Sequence, residues 1–152
     1  MSLRNMKHTD LFDTVQDRLG GLREAHGMSI SIQGDLDDPR GVGITLQNPD
    51  IQIFVSRDHG HENVEVNCLT RPRPRAHLRG YSVKRLKAYL DGKMSVDAST
   101  SLHEELDTLL KHQDKFLDPA FLNSEDLRFW NVDAARIMFG EKPRNRKKRT
   151  NT

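Results

Sequence analysis

The sequence predicts an α+β fold: an antiparallel four-stranded meander sheet with an N-terminal helix and two to three C-terminal helices covering one face. Three observations lead there. Period-two alternation of apolar and polar residues recurs four times between Met28 and Cys68, and such alternation puts one face of each strand in a core and the other toward solvent. The breaks between these runs are short and polar, which favours antiparallel neighbours, because a parallel pair needs a long crossover. Helical periodicity is confined to the chain before and after this block, so strands and helices are segregated rather than alternating.

The first helix is expected over Thr9 to His26, with Leu11, Phe12, Val15, Leu19 and Leu22 close to one face. Thr9 or Asp10 is the expected cap, since either side-chain oxygen can accept from a free first-turn amide. Gly20-Gly21 weakens the last turn and Gly27 stops it. Met28 to Gln33 is the first strand, with Met28, Ile30 and Ile32 on one face. The polar turn from Gly34 to Gly41 carries Asp35, Asp37, Asp38 and Pro39. Val42 to Gln47 is the second strand, and Asn48-Pro49 signals the next reversal. The third strand aligns Ile51, Ile53 and Val55; the fourth aligns Val64, Val66 and Cys68. They are joined by Arg57-Asp58-His59-Gly60-His61-Glu62, where Gly60 supplies the backbone freedom of the turn.

Pro72 and Pro74 end the last strand and make Arg71 to Arg75 a linker. Helices follow over Tyr81 to Leu90, Leu102 to about Phe116 and about Ser124 to Phe139. The second of these starts at a capping box formed by Ser101 and Glu104. Trp130 belongs to the core side of the last helix. Residues 1–140 therefore read as a single α+β domain and residues 141–152 as a basic disordered tail. At 152 residues the chain can bury about 70% of its unfolded surface, so neither disulfide nor structural metal is needed to fold it.

The net charge of +2 hides a division. Lys142, Arg144, Arg146, Lys147, Lys148 and Arg149 face only Glu141 in the tail, and the remaining body is acidic. Arg71, Arg73, Arg75 and Arg79 form a second basic cluster. The single cysteine, Cys68, sits on the apolar face of a strand and reads as a small buried hydrophobe, which fits a reducing compartment. No apolar run approaches the roughly 20 residues of a membrane helix, and the N-terminus has no apolar signal core. The expectation is a cytoplasmic, bacterial-type protein that makes no use of a membrane.

The sequence lacks a phosphate-binding glycine loop, a nucleophile elbow and a spaced Cys/His zinc set. His59 and His61 can reach one metal ion, with Glu62 adding an oxygen and Asp58 or His103 completing the set. Two histidines in a polar turn do not make a site, so no metal, cofactor or catalytic residue is assigned. Asp50 with Glu65 and Asn67 has the spacing of a magnesium-dependent nuclease but lacks its lysine. Arg57 is expected to pair with an acidic neighbour across the sheet, and Asp58 to bond the backbone of its own turn. The candidate partner-binding residues are Asp35, Asp37 and Asp38 of one turn and Arg57, Asp58, His59 and His61 of the other. A nucleic-acid reading rests instead on Arg71, Arg73, Arg75, Arg79, Lys147, Lys148 and Arg149, without interleaved aromatics for base stacking.

The stretch from Ile51 to Asn67 resembles a group of small immunity proteins from bacterial polymorphic toxin systems. The shared form is an apolar strand, Arg-Asp-x-Gly, a second alternating strand, and a later helix ending like Ala88-Tyr89-Leu90-Asp91-Gly92. Arg57, Asp58 and Gly60 match it; His59 and His61 are not specified by it, and the basic tail departs from it. The resemblance implies a non-enzymatic protein that occludes the active site of a cognate protein toxin, often a nuclease. Asp35, Asp37 and Asp38 would then meet the toxin's cationic groove, since complementary charge speeds association and selects partners. The other two readings are a nucleic-acid-associated accessory protein and, third, a metal-dependent hydrolase around His59 and His61.

Overall fold

The computed structural model describes residues 8–70, 80–96, 100–138 and 140. Helix α1 spans Thr9–Ala25 and buries Leu11, Val15, Leu19 and Leu22 of the expected apolar stripe, while Phe12, its fifth member, is only half-buried against the core. The residue at its cap is His8, which makes no side-chain capping bond, so neither Thr9 nor Asp10 caps it. Asp10 lies in the first turn, where a carboxylate suits the positive end of the helix dipole.

Strands β1 (Ser29–Gln33), β2 (Gly41–Gln47), β3 (Ile51–Asp58) and β4 (His61–Cys68) follow as a meander, each antiparallel to its neighbours. The register sets Ile53 between Leu46 and Val66, and Val55 between Ile44 and Val64. These side chains form one buried layer against Leu11, Val15 and Leu19 of α1 and the apolar residues of the later helices. The opposite face presents Ser29, Ser31, Gln47, Gln52, Asn63 and Glu65, all of them half-buried or exposed.

A fifth strand corrects the expected four. Tyr81–Ser82 forms β5 and pairs with Val66 and Glu65 of β4. A two-residue strand has no alternation to read, and Tyr81 fits the helical pattern that follows. Gly80 makes the pairing possible: a Cβ there would stand 2.6 Å from the Val66 carbonyl oxygen. Ser82 then caps α2 (Val83–Leu90), its Oγ accepting from the Arg85 amide at 3.2 Å.

Among the described residues five helices follow the meander, against two to three expected. The long third helix breaks at His112, whose backbone at φ −112°, ψ 21° is not helical. The result is α3 (Leu102–Lys111), with the predicted capping box, and the single-turn α4 (Gln113–Phe116). Another single turn, α5 (Pro119–Leu122), starts at Asp118, which accepts from the Ala120 amide at 3.0 Å, with proline in the first helical position. Helix α6 (Glu125–Met138) closes the described order.

Tyr89 joins α2 to α6. Its ring meets Trp130 edge-on at 5.5 Å, and its hydroxyl donates to the Asp126 carboxylate at 2.5 Å. That bond to a carboxylate pushes the phenol up to about 12. Trp130 packs against the core and donates to the Lys93 carbonyl at 3.2 Å, in keeping with its expected packing role. Cys68 is buried and near Asn123 Nδ2 at 3.4 Å, also a packing position. Among the described residues no helix is long and apolar enough to cross a membrane.

Candidate functional site

Alternate turns of a meander lie at the same end of the sheet. The β1–β2 loop and the β3–β4 turn are therefore neighbours, and the His59 amide donates to the Arg40 carbonyl at 2.8 Å to tie them. This brings together Asp35, Asp37 and Asp38 with Arg57, Asp58, His59 and His61, two groups that are separate in sequence. At this sheet end Asp10, Asp35, Asp37, Asp38, Asp58 and Glu62 face Arg40 and Arg57, so the described surface is acidic.

The hairpin turn is tighter than the expected six residues. β3 and β4 run on to Asp58 and His61, leaving His59-Gly60 as the turn. Their φ values are 48° and 81°. Positive φ at both central positions is what a two-residue turn matched to strand twist requires. The backbone itself makes the reversal. Asp58 does not bond the turn backbone as expected; its carboxylate is exposed and lies 3.5 Å from His59 Nε2.

Arg57 faces the helix-covered side, where its guanidinium meets Asp10, Glu62 and His8 among the described residues. It makes two bonds to the Asp10 carboxylate at 3.1 and 3.0 Å, and reaches Glu62 Oε2 at 2.8 Å. It also donates to His8 Nδ1 at 3.3 Å, while His8 Nε2 donates to the Asp38 carbonyl at 2.6 Å. The cross-strand acid expected for Arg57 is thus Glu62, its register partner. Arg57 holds the Asp10 carboxyl below the usual range, and these carboxylates raise the guanidinium further. The side chain is 18% exposed, and its bonds tie the hairpin to α1 and to the acidic loop through His8.

The acidic loop is folded on its own carboxylates. Asp35 Oδ1 accepts from the Asp37 amide, and Asp38 Oδ1 from the Arg40 amide, each at 2.9 Å. Arg40 also pairs with the Asp38 carboxylate at 3.3 Å and holds its carboxyl below the usual range. Ile32, Gly34, Asp35, Leu36 and Asp37 line an open concavity of about 520 Å³ beside this loop. Sequence reading missed His8, Asp10 and Arg40 here. Only Arg40 leaves a local signal, an arginine two residues after Asp38; the others meet the site through long-range packing.

Among the described residues no group of three or more His, Cys, Asp or Glu side chains is placed to hold a metal ion. His103 is engaged elsewhere, by Arg18 of α1 at 2.8 Å. Asp50 and Glu65 do not meet either: Glu65 lies opposite Phe54, four residues along β3, roughly 13 Å from Asp50. Arg71, Arg73, Arg75, Arg79, Lys147, Lys148 and Arg149, with the rest of the tail, lie outside the described residues.

Comparison with protein-family models, with curated proteins and with solved structures returns no significant match.

An Arg57→Met chain is expected to lose about 1–2 kcal/mol in urea unfolding at neutral pH. Charge-assisted bonds are worth more than neutral ones, but Asp10 is 65% exposed and its pair is screened. Because the Asp10 carboxyl is lowered in the folded state, its share is present above its unfolded value of 3.8 and disappears as pH falls through the folded one. The parent–variant gap should therefore narrow in acid.

Proposed function

We propose that this chain is a non-enzymatic binding protein of the toxin-immunity type, which neutralises a cognate protein toxin by occluding its active site. The observation that supports this reading is the meeting of the Asp35–Asp38 loop and the Asp58–His61 turn at one sheet end, with backbones fixed by Arg57, His8 and the His59–Arg40 bond. A preorganised acidic end loses little freedom on binding and suits a cationic groove such as that of a nuclease. Asp35, Asp37, Asp38, Asp58, His59 and His61 form the contact surface, and Arg57 supports it from behind.

Coexpression with the toxic domain encoded next to this gene should restore growth. If no neighbouring candidate is neutralised, the reading fails. With a toxin in hand, the triple change Asp35→Asn, Asp37→Asn, Asp58→Asn keeps the acceptor oxygens of the loop and removes three charges. Its association rate should fall about tenfold or more at low salt and approach the parent's at high salt. Stopped-flow mixing measures this, and an unchanged rate at low salt removes the acidic end from the interface.

A further inference from the structure

The two edges of the sheet are treated differently. The Asn48 amide donates to the Ile51 carbonyl at 3.0 Å and the His59 amide to the Arg40 carbonyl at 2.8 Å, which fixes the hydrogen-bonding phase of β2 against β3. Antiparallel bonding alternates by residue. Gly43, Thr45 and Gln47 therefore bond Gln33, Ser31 and Ser29, and the N–H and C=O groups of Ile30 and Ile32 point away from the sheet. The same phase turns Val64 and Val66 outward on β4. There Val66 is met by Tyr81 of β5 and the Val64 amide by the Glu105 carboxylate at 3.4 Å. The β4 edge is closed at these positions and the β1 edge is bare among the described residues.

That bare edge lacks the usual protection. Ser29–Gln33 holds no lysine, proline or other charge, and Ile32 is 38% exposed. Charges sit at its two ends instead. At the entry end, Arg23 Nε donates to the outward Met28 carbonyl at 3.1 Å, and its remaining guanidinium nitrogens have no protein partner among the described residues. At the exit end, the Asp35 and Asp37 carboxylates have no cationic partner among the described residues.

We infer that β1 is the pairing edge for a second copy of this chain, joined antiparallel about Ser31 into one continuous sheet. Ile30 then faces the copy's Ile32, and every outward N–H and C=O of both residues finds a partner. The two isoleucines meet on the helix side of the sheet, covering exposed apolar surface. Met28 falls opposite the copy's Gly34, so Arg23 meets the copy's Asp35–Asp37 loop and fills the concavity beside it. The charges at both ends of the strand are neutralised twice, by symmetry. A strand from an unrelated partner would satisfy the backbone but has no reason to carry this charge order.

The inference stands apart from the toxin reading. Asp58 and His59 lie two strands, roughly 10 Å, from the β1 edge, and only Asp35 and Asp37 border both surfaces.

Sedimentation equilibrium of the full chain should give twice the chain mass. Ile32→Lys and Arg23→Glu should each raise the dimer Kd about tenfold or more. Adding Asp37→Arg to Arg23→Glu should restore it, which a merely unfolded variant cannot show. Hydrogen exchange at Ile30 and Ile32 should be slowed in the dimer and fast in the Ile32→Lys chain. A parent that stays monomeric at high micromolar concentration overturns the inference. So does a dimer indifferent to Ile32→Lys, and a charge swap that fails to restore association.

Discussion

An Ile53→Ala chain is expected to unfold about 2–5 kcal/mol more easily than the parent, the range for truncating a fully buried aliphatic side chain. Ile53 is completely buried on a central strand, flanked by Leu46 and Val66 and roofed by the helices. No polar neighbour or solvent can fill the space its truncation leaves, so lost transfer energy and lost contacts add. A domain of this kind holds about 5–15 kcal/mol in all, so the loss is a large fraction of the total. Urea unfolding should show a lower midpoint with an unchanged slope. A midpoint equal to the parent's would mean that the hairpin's apolar face is not the core.

Glu105→Leu is expected to lower stability by about 1–3 kcal/mol near pH 4, because the Val64 amide loses its acceptor in a buried place. The gap should shrink as pH rises. Glu105 is 2% exposed, its Oε2 has no hydrogen-bond partner, and Lys84 Nζ stands 3.8 Å away. Burial holds its carboxyl above the usual value, more than Lys84 and the Val64 amide offset. The folded parent therefore keeps a proton that the unfolded chain gives up near 4.5. Glu105's contribution to stability is fully present below that pH and is lost as pH rises toward the folded value. The leucine variant has no such decline. Denaturant titrations at a series of pH values measure both, and a gap that widens with pH would contradict the account.

Much of the fold was legible because strand and helix periods are local. Ile51, Ile53 and Val55 fall opposite Cys68, Val66 and Val64, as their alternation predicts. The capping box at Ser101 and Glu104 also forms where its spacing places it. What escaped was settled by long-range contact. Tyr81–Ser82 is a strand only because Gly80 lets it approach β4, and His112 interrupts a helix that its apolar spacing would continue. Glu105 carries no sign of burial in a helix of mostly polar neighbours. At the candidate site, the acidic loop and the hairpin tip were each visible, but their adjacency follows from meander geometry. The link through His8, Asp10 and Arg57 spans nearly fifty residues and has no local signature.

The sheet order β1-β2-β3-β4-β5 has a kinetic consequence. Every strand pairs with its neighbour in the chain, so each step of assembly closes a small loop and costs little chain entropy. The four meander strands should zip rapidly for a protein rich in β structure. β5 returns across a longer connection and should dock after them. On partial opening the order reverses, so the amide protons of Val55 and Ile44 outlast those at the β4–β5 seam, and the last-formed ladder is the first to fray.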